Sequence, residues 1–375
     1  MISRSRTPGR ILMTADTVGG VWTYAMELAR ALGADGVEVA LATMGGPANA
    51  EQRSEARAIP TLQLYESMYR LPWMEQPWED VELAGEWLLD LAARLRPDVV
   101  HLNEPVHASL PWSAPALTVA HSCVLSWWES VWRSPAPESW NRYRQEMRRG
   151  LAHASEVVAP SRWMLETLQR NYGVGTGRVI PNGRDGRDFV PGTKTPLVFA
   201  AGRLWDPAKN LLALDQVADG LAWPVYVAGE PRHPDGDTAI TATHLQLLGR
   251  LPARTVSAWL RGASIYAFPA RYEPFGLSIL EAALAGCTLV LGDIPTLREL
   301  WDGAAVFVSP DHPETVRVAL EGLIEDPGLR HTLSMRARKR ALSLTPSRMA
   351  RAYLGLYTDL LTQPSLHSEE PACAS

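Results

Sequence analysis

Two doubly wound α/β domains of Rossmann-like architecture, facing one another across a central cleft, are what this sequence predicts. Three observations carry that expectation. Short apolar runs alternate with helical stretches along nearly all of the 375 residues, the pattern of parallel sheets covered by helices on both faces. That length suits two domains that each bury a core. Glycines, prolines and charges also cluster at 181–196, in PNGRDGRDFVPGTKTP, where one series of strand-like runs stops and a second begins.

The elements follow in order. RILMTAD reads as a strand, and a loop with Gly19 and Gly20 leads into a helix. That helix shows Val21, Ala25, Leu28, Ala29 and Leu32 at three- and four-residue spacing, one apolar face. VEVALAT, PDVVHLN, ALTVAHS and SEVVAPS continue the strands of the first half, with helical stretches such as AGEWLLDLAARL between them. PLVFAAG opens the second series, and WPVYVAG, LQLLGR, ASIYAFPA and CTLVLGD extend it. The expected division is a first domain over 1–190 and a second over 191–346. A last helix over 347–362 follows Pro346, which interrupts the helix before it. The tail over 363–375, ending SEEPACAS, reads as disordered.

Composition narrows the function classes. Apolar residues make up 46% and charged residues 21%, an ordinary soluble profile. A formal charge of −5 gives no reason to expect nucleic-acid binding. Cys123, Cys287 and Cys373 are too scattered for a disulfide framework or a metal site. No apolar run approaches a membrane span, and MISRSRTPGR is not followed by a signal-peptide core, so a cytoplasmic location is the expectation. Arginine outnumbers lysine 33 to 3, which singles out each lysine for inspection.

In open parallel sheets ligands sit beyond the carboxyl ends of the strands, and with two such domains the cleft between them is the natural site. AGRLWDPAKN follows the first strand of the second half and places Arg203 and Lys209 around a helix start. Two cations beside free helix amides suit a diphosphate; the alternative is a pair of solvated surface cations. YEPFGLSILEAAL then sets Glu273 in a strand-end loop and Glu281 about one turn inside a helix, with the amides of Gly276, Leu277 and Ser278 at its first turn. Carboxylates repel phosphate but accept hydrogen bonds from sugar hydroxyls. An anion-binding turn flanked by two such acceptors fits a nucleotide sugar. The plainer alternative is a helix-start charge and a satisfied helix residue.

These stretches resemble a family. GRLWDPAKN with EPFGLSILEAALAG is similar to the donor site of the retaining glycosyltransferases of family four, which have the GT-B fold. Further matches run along nearly the whole chain: the Gly19-Gly20 loop, TVAHS with His121, APSRWM, VIPNGRDGRDF with Asn182 and Gly183, and LLGRLP. The resemblance implies a hexosyltransferase that moves a sugar from a nucleoside-diphosphate sugar to a hydroxyl acceptor such as a glycan, a glycoside or a lipid-linked one. It implies that Arg203 and Lys209 neutralise the leaving diphosphate, that Glu281 accepts from the ribose, and that Glu273 holds the transferred sugar. It puts His121 beside that sugar and Gly20, with Gly19, close to the β-phosphate. Gly202, Phe275, Gly276, Leu277 and Ser278 join the donor-binding set. The last helix resembles the family's closing helix, which crosses back to the first domain. The front-face mechanism usually given for the family needs neither a carboxylate nucleophile nor a metal, and no cofactor is expected.

Residues 65–140, the acceptor side in that family, match no recognised motif. They hold 8 of the 14 tryptophans, including Trp127, Trp128 and Trp132. Such rings stack on sugars, although ordinary packing is the favoured reading. The helix SWNRYRQEMRRGL sets Trp140, Tyr143, Met147 and Leu151 on one side and arginines elsewhere. It could touch an anionic membrane peripherally, but packing on its own domain with a solvated basic face is favoured. Three rival functions remain at this level: a nucleotide-sugar epimerase of the same fold, an inert nucleotide-sugar-binding protein, and a dinucleotide oxidoreductase. The last is disfavoured because neither strand-to-helix turn carries G-x-G-x-x-G.

Overall fold

The computed structural model of the chain describes residues 7–233 and 241–362. The expected disordered tail over 363–375, with Cys373, lies outside the described residues, as do positions 1–6.

Among the described residues the strands form two sheets, parallel throughout. The first holds β1 (Arg10–Asp16), β2 (Glu38–Met44), β3 (Leu62–Glu66), β4 (Val99–Leu102), β5 (Ala116–Val119), β6 (Glu156–Ala159) and β7 (Arg178–Val179). Their order is β3-β2-β1-β4-β5-β6-β7. The second holds β8 (Thr195–Ala201), β9 (Val225–Ala228), β10 (Gln246–Gly249), β11 (Ala263–Phe268), β12 (Thr288–Gly292) and β13 (Val306–Val308), in the order β10-β9-β8-β11-β12-β13. Runs such as VVHL in β4 and TLVLG in β12 are buried along their whole length, which is why they read as continuous apolar segments and not as alternating ones. The strand order reverses between β1 and β4 in one sheet and between β8 and β11 in the other. A crevice opens at such a switch point, so the loops after these four strands are the ones that can hold a ligand.

The helix Gly20–Ala34 buries Ala25, Leu28, Ala29 and Leu32, the face its periodicity predicts. The helix Pro346–Thr362 packs against it with Met349, Tyr353, Leu356, Tyr357 and Leu360 in one shared core. Pro346 stands at the first position of that helix, where its missing N–H costs nothing. A buried polar link strengthens the contact: the His101 ring bonds Tyr24 Oη at 3.1 Å and Tyr357 Oη at 2.6 Å. The chain therefore passes between the sheets twice, near 180–190 and near 342–346. The two passages touch. Arg184 N donates to Leu344 O at 3.0 Å, and a Cβ at Gly183 would lie 2.4 Å from Thr345 backbone, so only glycine fits there.

The basic helix Asn141–His153 buries Tyr143, Met147, Gly150 and Leu151 against its own domain. A Cβ at Gly150 would lie 1.8 Å from Pro105 O. This closeness seats the segment Pro105–Ser109 against the helix and so fixes the residues just before it. Among the described residues no helix is long and apolar enough to cross a membrane.

Candidate active site

One cavity of about 620 Å³ opens between the domains, and Gly19, Gly20, His121, Gly202, Arg203, Lys209, Glu273, Phe275, Gly276, Leu277, Ser278 and Glu281 all line it. The residues that the resemblance assigns to the donor, with His121, thus line one cavity.

The loop after β8 is built for this. Asp206 accepts from Ala208 N at 3.0 Å and starts the turn Pro207–Lys209. Asn210 follows with φ of 57°, a left-handed conformation that asparagine tolerates, and its amide donates to Pro269 O and Pro310 O. Lys209 is thereby aimed into the cavity. Its Nζ lies 2.9 Å from Glu273 Oε2. Arg203 is paired too, with Asp206 Oδ2 at 3.1 Å. Burial raises the Asp206 carboxyl, yet Lys209, Arg203, the Trp127 indole and the Ala208 amide together outweigh it and hold it below the usual range. Each expected diphosphate cation therefore faces a carboxylate, a pairing that the sequence does not show.

The loop after β11 turns at Gly276, whose φ is 88°. A side chain there would also strike Ile279 Cδ1 at 2.7 Å. That glycine lets the helix Leu277–Leu284 begin at the cavity, with the amides of Leu277 and Ser278 ahead of its first backbone bond, from Ile279 N to Gly276 O. Opposite stands the start of the helix Gly20–Ala34, so close that a Cβ on Gly20 would lie 3.5 Å from Leu277 Cδ1. Two helix amino termini converge on one spot, an arrangement that favours an anion. Gly19 N is engaged by Asp16 Oδ1 at 2.8 Å, leaving the amides beyond it to face the cavity.

First-domain groups clamp the second-domain loop. Tyr272 Oη accepts from Cys123 N at 3.0 Å, and Ser161 Oγ donates to Pro274 O at 2.8 Å. Ser161 also caps its own helix, Arg162–Tyr172. The APSRWM stretch thus works as a strut for the PFG turn. Trp127 Nε1 donates to Asp206 Oδ1 at 3.0 Å.

Glu281 carries a partner of its own. Arg184 Nε donates to Glu281 Oε1 at 2.8 Å, and Arg184 Nη1 donates to Glu27 Oε1. The triad joins the first domain, the crossing segment and the second-domain helix. Burial raises the Glu27 carboxyl in spite of Arg184, whereas the two carboxylates raise Arg184 against its own burial. Asn182, beside it, is 4% exposed, lines the cavity and has no partner for Oδ1.

His121 Nε2 lies 2.8 Å from Asn103 Oδ1. Asn103 Nδ2 donates to Thr14 O at 2.6 Å, which orients that amide. The Nε2 atom must then carry the proton, leaving Nδ1 as an acceptor. Burial holds the His121 pKa down at about 3, so the ring stays neutral.

Sequence reasoning missed Asp16, Asn103, Glu104, Asp206, Arg184 and Glu27. Asp206 sits inside the AGRLWDPAKN stretch and carries a recognisable cap signal, an aspartate before a proline. Glu104, in HLNEP after β4, had no such signal. Burial first, and then the charge of Asp16, raise its pKa to about 8. Of the tryptophans on the acceptor side, Trp73, Trp127, Trp128 and Trp140 line the cavity, Trp112 packs in the domain, and Trp132 is 53% exposed.

Known proteins match this arrangement over both domains. A model described as Glycosyltransferase Family 4 matches residues 18–186, and one described as Glycosyl transferases group 1 matches residues 195–326. The chain is 27% identical over 366 residues to the phosphatidyl-myo-inositol mannosyltransferase of Mycolicibacterium smegmatis, covering 87% of this chain and 86% of that one. Its fold is similar to sucrose-phosphate synthase from Thermosynechococcus elongatus, with a TM-score of 0.77 at 18% identity over 94% of this chain and 99% of that one. It is also similar to the Anabaena protein HepE in complex with UDP-glucose, with a TM-score of 0.71 at 15% identity over 93% and 99%. With models matched to both halves and two parallel sheets around one cleft, the chain belongs to glycosyltransferase family 4 and has the GT-B fold.

Proposed function

We propose that the chain transfers a hexosyl group from a nucleoside-diphosphate sugar to a hydroxyl acceptor, with retention of anomeric configuration and without a divalent metal. The observation that carries this reading is the convergence of two helix amino termini with Arg203 and Lys209 on one cavity that Glu273 and Glu281 flank. The fold neighbour HepE holds UDP-glucose, and the mycobacterial relative is named for mannosyl transfer to a phosphatidylinositol; both names favour a hexose donor.

In this reading the diphosphate lies at the helix starts, where partial positive charge is fixed before the ligand arrives. It competes with Glu273 for Lys209, and the released carboxylate turns to hydroxyls of the sugar. Glu281 takes the ribose. The acceptor hydroxyl attacks the anomeric carbon on the face that the phosphate leaves. The bond from that carbon to the β-phosphate oxygen breaks, the bond to the acceptor oxygen forms, and the acceptor's proton passes to the departing phosphate. Arg203 and Lys209 stabilise the negative charge gathering there, which is the work a divalent cation would otherwise do. Neutral His121 offers Nδ1 to a sugar hydroxyl. A cytoplasmic location is part of this proposal.

The test is incubation of the purified chain with UDP-glucose, GDP-mannose and ADP-glucose, with product anomers read by NMR and one arm in excess EDTA. A product of inverted configuration overturns retention. Activity lost in EDTA and restored by Mg²⁺ overturns metal independence. Rearrangement of the donor sugar without any acceptor points to an epimerase instead.

A further inference from the structure

The first-domain wall of the cavity differs in chemistry from the wall that faces it. Asp16, at the end of β1, and Glu104, just after β4, stand on it, and Trp73, Trp128, Trp140 and Tyr143 supply its rings. Trp140 meets Tyr143 edge-on at 5.7 Å, and Trp128 meets Trp127 at the same distance. Among the described residues this wall brings no lysine or arginine to the cavity. Arg142, next to Tyr143 in sequence, is turned away to Glu82 at 2.7 Å. Across the cleft Arg203 reaches up to Gly19, its Nη1 3.5 Å from where a Cβ on that residue would stand, while its Nη2 pairs with Asp206.

We propose, resting on the transferase reading above, that the acceptor is an uncharged polyhydroxyl compound such as a sugar or glycoside, and that phosphorylated acceptors are rejected. Carboxyl groups accept from hydroxyls, and indole faces pack on the C–H faces of a sugar ring. Asp16 already spends Oδ1 on the amides of Val18 and Gly19, at 3.0 and 2.8 Å, so Oδ2 is the oxygen left to meet an acceptor. Burial keeps Glu104 protonated at neutral pH, which lets it donate as well as accept. A phosphate on the acceptor would bring about −1.5 to −2 charges against the Asp16 carboxylate, with no cation on the same wall to offset it. Like charges brought together in a partly desolvated site act as a rejecting element. The unpartnered, buried Asn182 Oδ1 on the same cavity separately marks it as a place that a polar ligand completes.

The experiment has two stages on the full chain. Calorimetry with UDP, GDP and ADP tests the donor site first; if none binds and no nucleotide sugar is turned over, the transferase reading itself fails. With the best-binding nucleotide present, tryptophan fluorescence is then titrated with two matched pairs: methyl glucoside against glucose 6-phosphate, and myo-inositol against inositol 3-phosphate. Where transfer is measurable, kcat/KM is compared within each pair. The expected result is a preference for the neutral member of about tenfold or more, the scale on which like-charge contacts act. Glu104→Lys should shrink or reverse that preference, and Glu104→Gln should leave it in the same direction, because the side chain is already neutral. Equal or tighter binding of the phosphorylated members, or no binding of any of the four while nucleotide binds, overturns the proposal.

Discussion

Replacing Arg184 with leucine removes the cation that joins Glu27 to Glu281. The side-chain exposures are 11% for Arg184, 1% for Glu27 and 15% for Glu281, so both carboxylates are left largely out of water. Breaking a buried pair on one side costs about 3–5 kcal/mol. Arg30 lies 3.8 Å from Glu27 but is 41% exposed, and it can offset only part of that loss. The expected destabilisation is therefore about 3 kcal/mol near neutral pH, the low end of that range. Its pH dependence identifies the cause. Burial already raises the Glu27 carboxyl above its ordinary 4.5, and Arg184 is the largest opposing influence. In the variant the folded-state value climbs further, so the folded chain binds more protons than the unfolded one over the window above 4.5. Stability then falls as pH rises through that window, and the deficit should be smaller at pH 5 than at pH 8. Arg184→Lys keeps a charge but cannot fork to both partners, and should fall between the two. Urea midpoints across pH 5–8 decide it. A deficit under about 1 kcal/mol, the size of an exposed pair, or one that does not change with pH, would refute the reasoning.

Arg203→Met and Lys209→Met should each lower kcat by about 10²- to 10³-fold, the effect of removing one preorganised group from developing charge, with unchanged circular dichroism; wild-type turnover in either would end that assignment. Glu281→Gln should weaken nucleoside-diphosphate binding by about 1–3 kcal/mol. Glu273→Gln should leave that affinity unchanged or raise it, because Lys209 is released from its 2.9 Å pair, while transfer falls; matching behaviour of the two variants in calorimetry would sink the division of labour. Gly150→Ala sets a Cβ 1.8 Å from Pro105 O, and should cost more than about 3 kcal/mol. Gly355→Ala, in a helix with open space at the same point, should instead gain about 0.5–1 kcal/mol. Burial holds His101 down at about 3, so the unfolded chain gains a proton first on acidification. Stability should fall as pH drops from about 6.5 towards 3, and the fall should shrink in a His101→Phe variant monitored by thermal melts.

Much of the fold was legible because parallel strands are buried on both faces. VVHL, ALTV and VYVA announce themselves as apolar runs, and Gly19, Gly276 and Pro346 mark the turns and starts between them. Less legible were β3, β7 and β13. LQLYE is only partly buried, and RV is a two-residue edge pair, so neither shows the signature of an interior strand. The wall proposed to bind the donor was readable because its residues lie in two continuous stretches. The acceptor wall was not. Asp16, Glu104, Trp73 and Tyr143 are far apart in sequence and line one cavity, Asp16 and Glu104 because β1 and β4 are neighbours at the switch point, the rings from the segment after β3 and the helix Asn141–His153. The partners of the donor cations were invisible for a related reason: Lys209 and Glu273 are 64 positions apart, and Arg184 and Glu281 are 97 apart.

The ties across the cleft show how one domain orders the chemistry of the other. Trp127 holds Asp206, Cys123 holds Tyr272, Ser161 holds the carbonyl of Pro274, and Glu27 shares Arg184 with Glu281. Each tie ends within three residues of a group proposed to bind the donor, or on that group itself. They are mostly polar, joined by one small apolar cluster in which Trp127, Val131 and Trp163 of the first domain meet Ala208 and Tyr272 of the second, whereas each domain has its own much larger apolar core. Contacts of that kind come apart far more cheaply than a core unfolds, so relative domain movement is the physical default. The bonded donor loops and the convergence of the two helix starts therefore belong to the same closed arrangement. A diphosphate that touches both helix starts binds that arrangement better than one with the domains apart, and its binding free energy can move the equilibrium only by that difference. In the proposed reaction, departure of the sugar would leave these bonds, the Arg133–Asp311 ion pair, the Glu299 bonds to the amides of Arg162 and Trp163, and the small apolar cluster to hold the cleft shut.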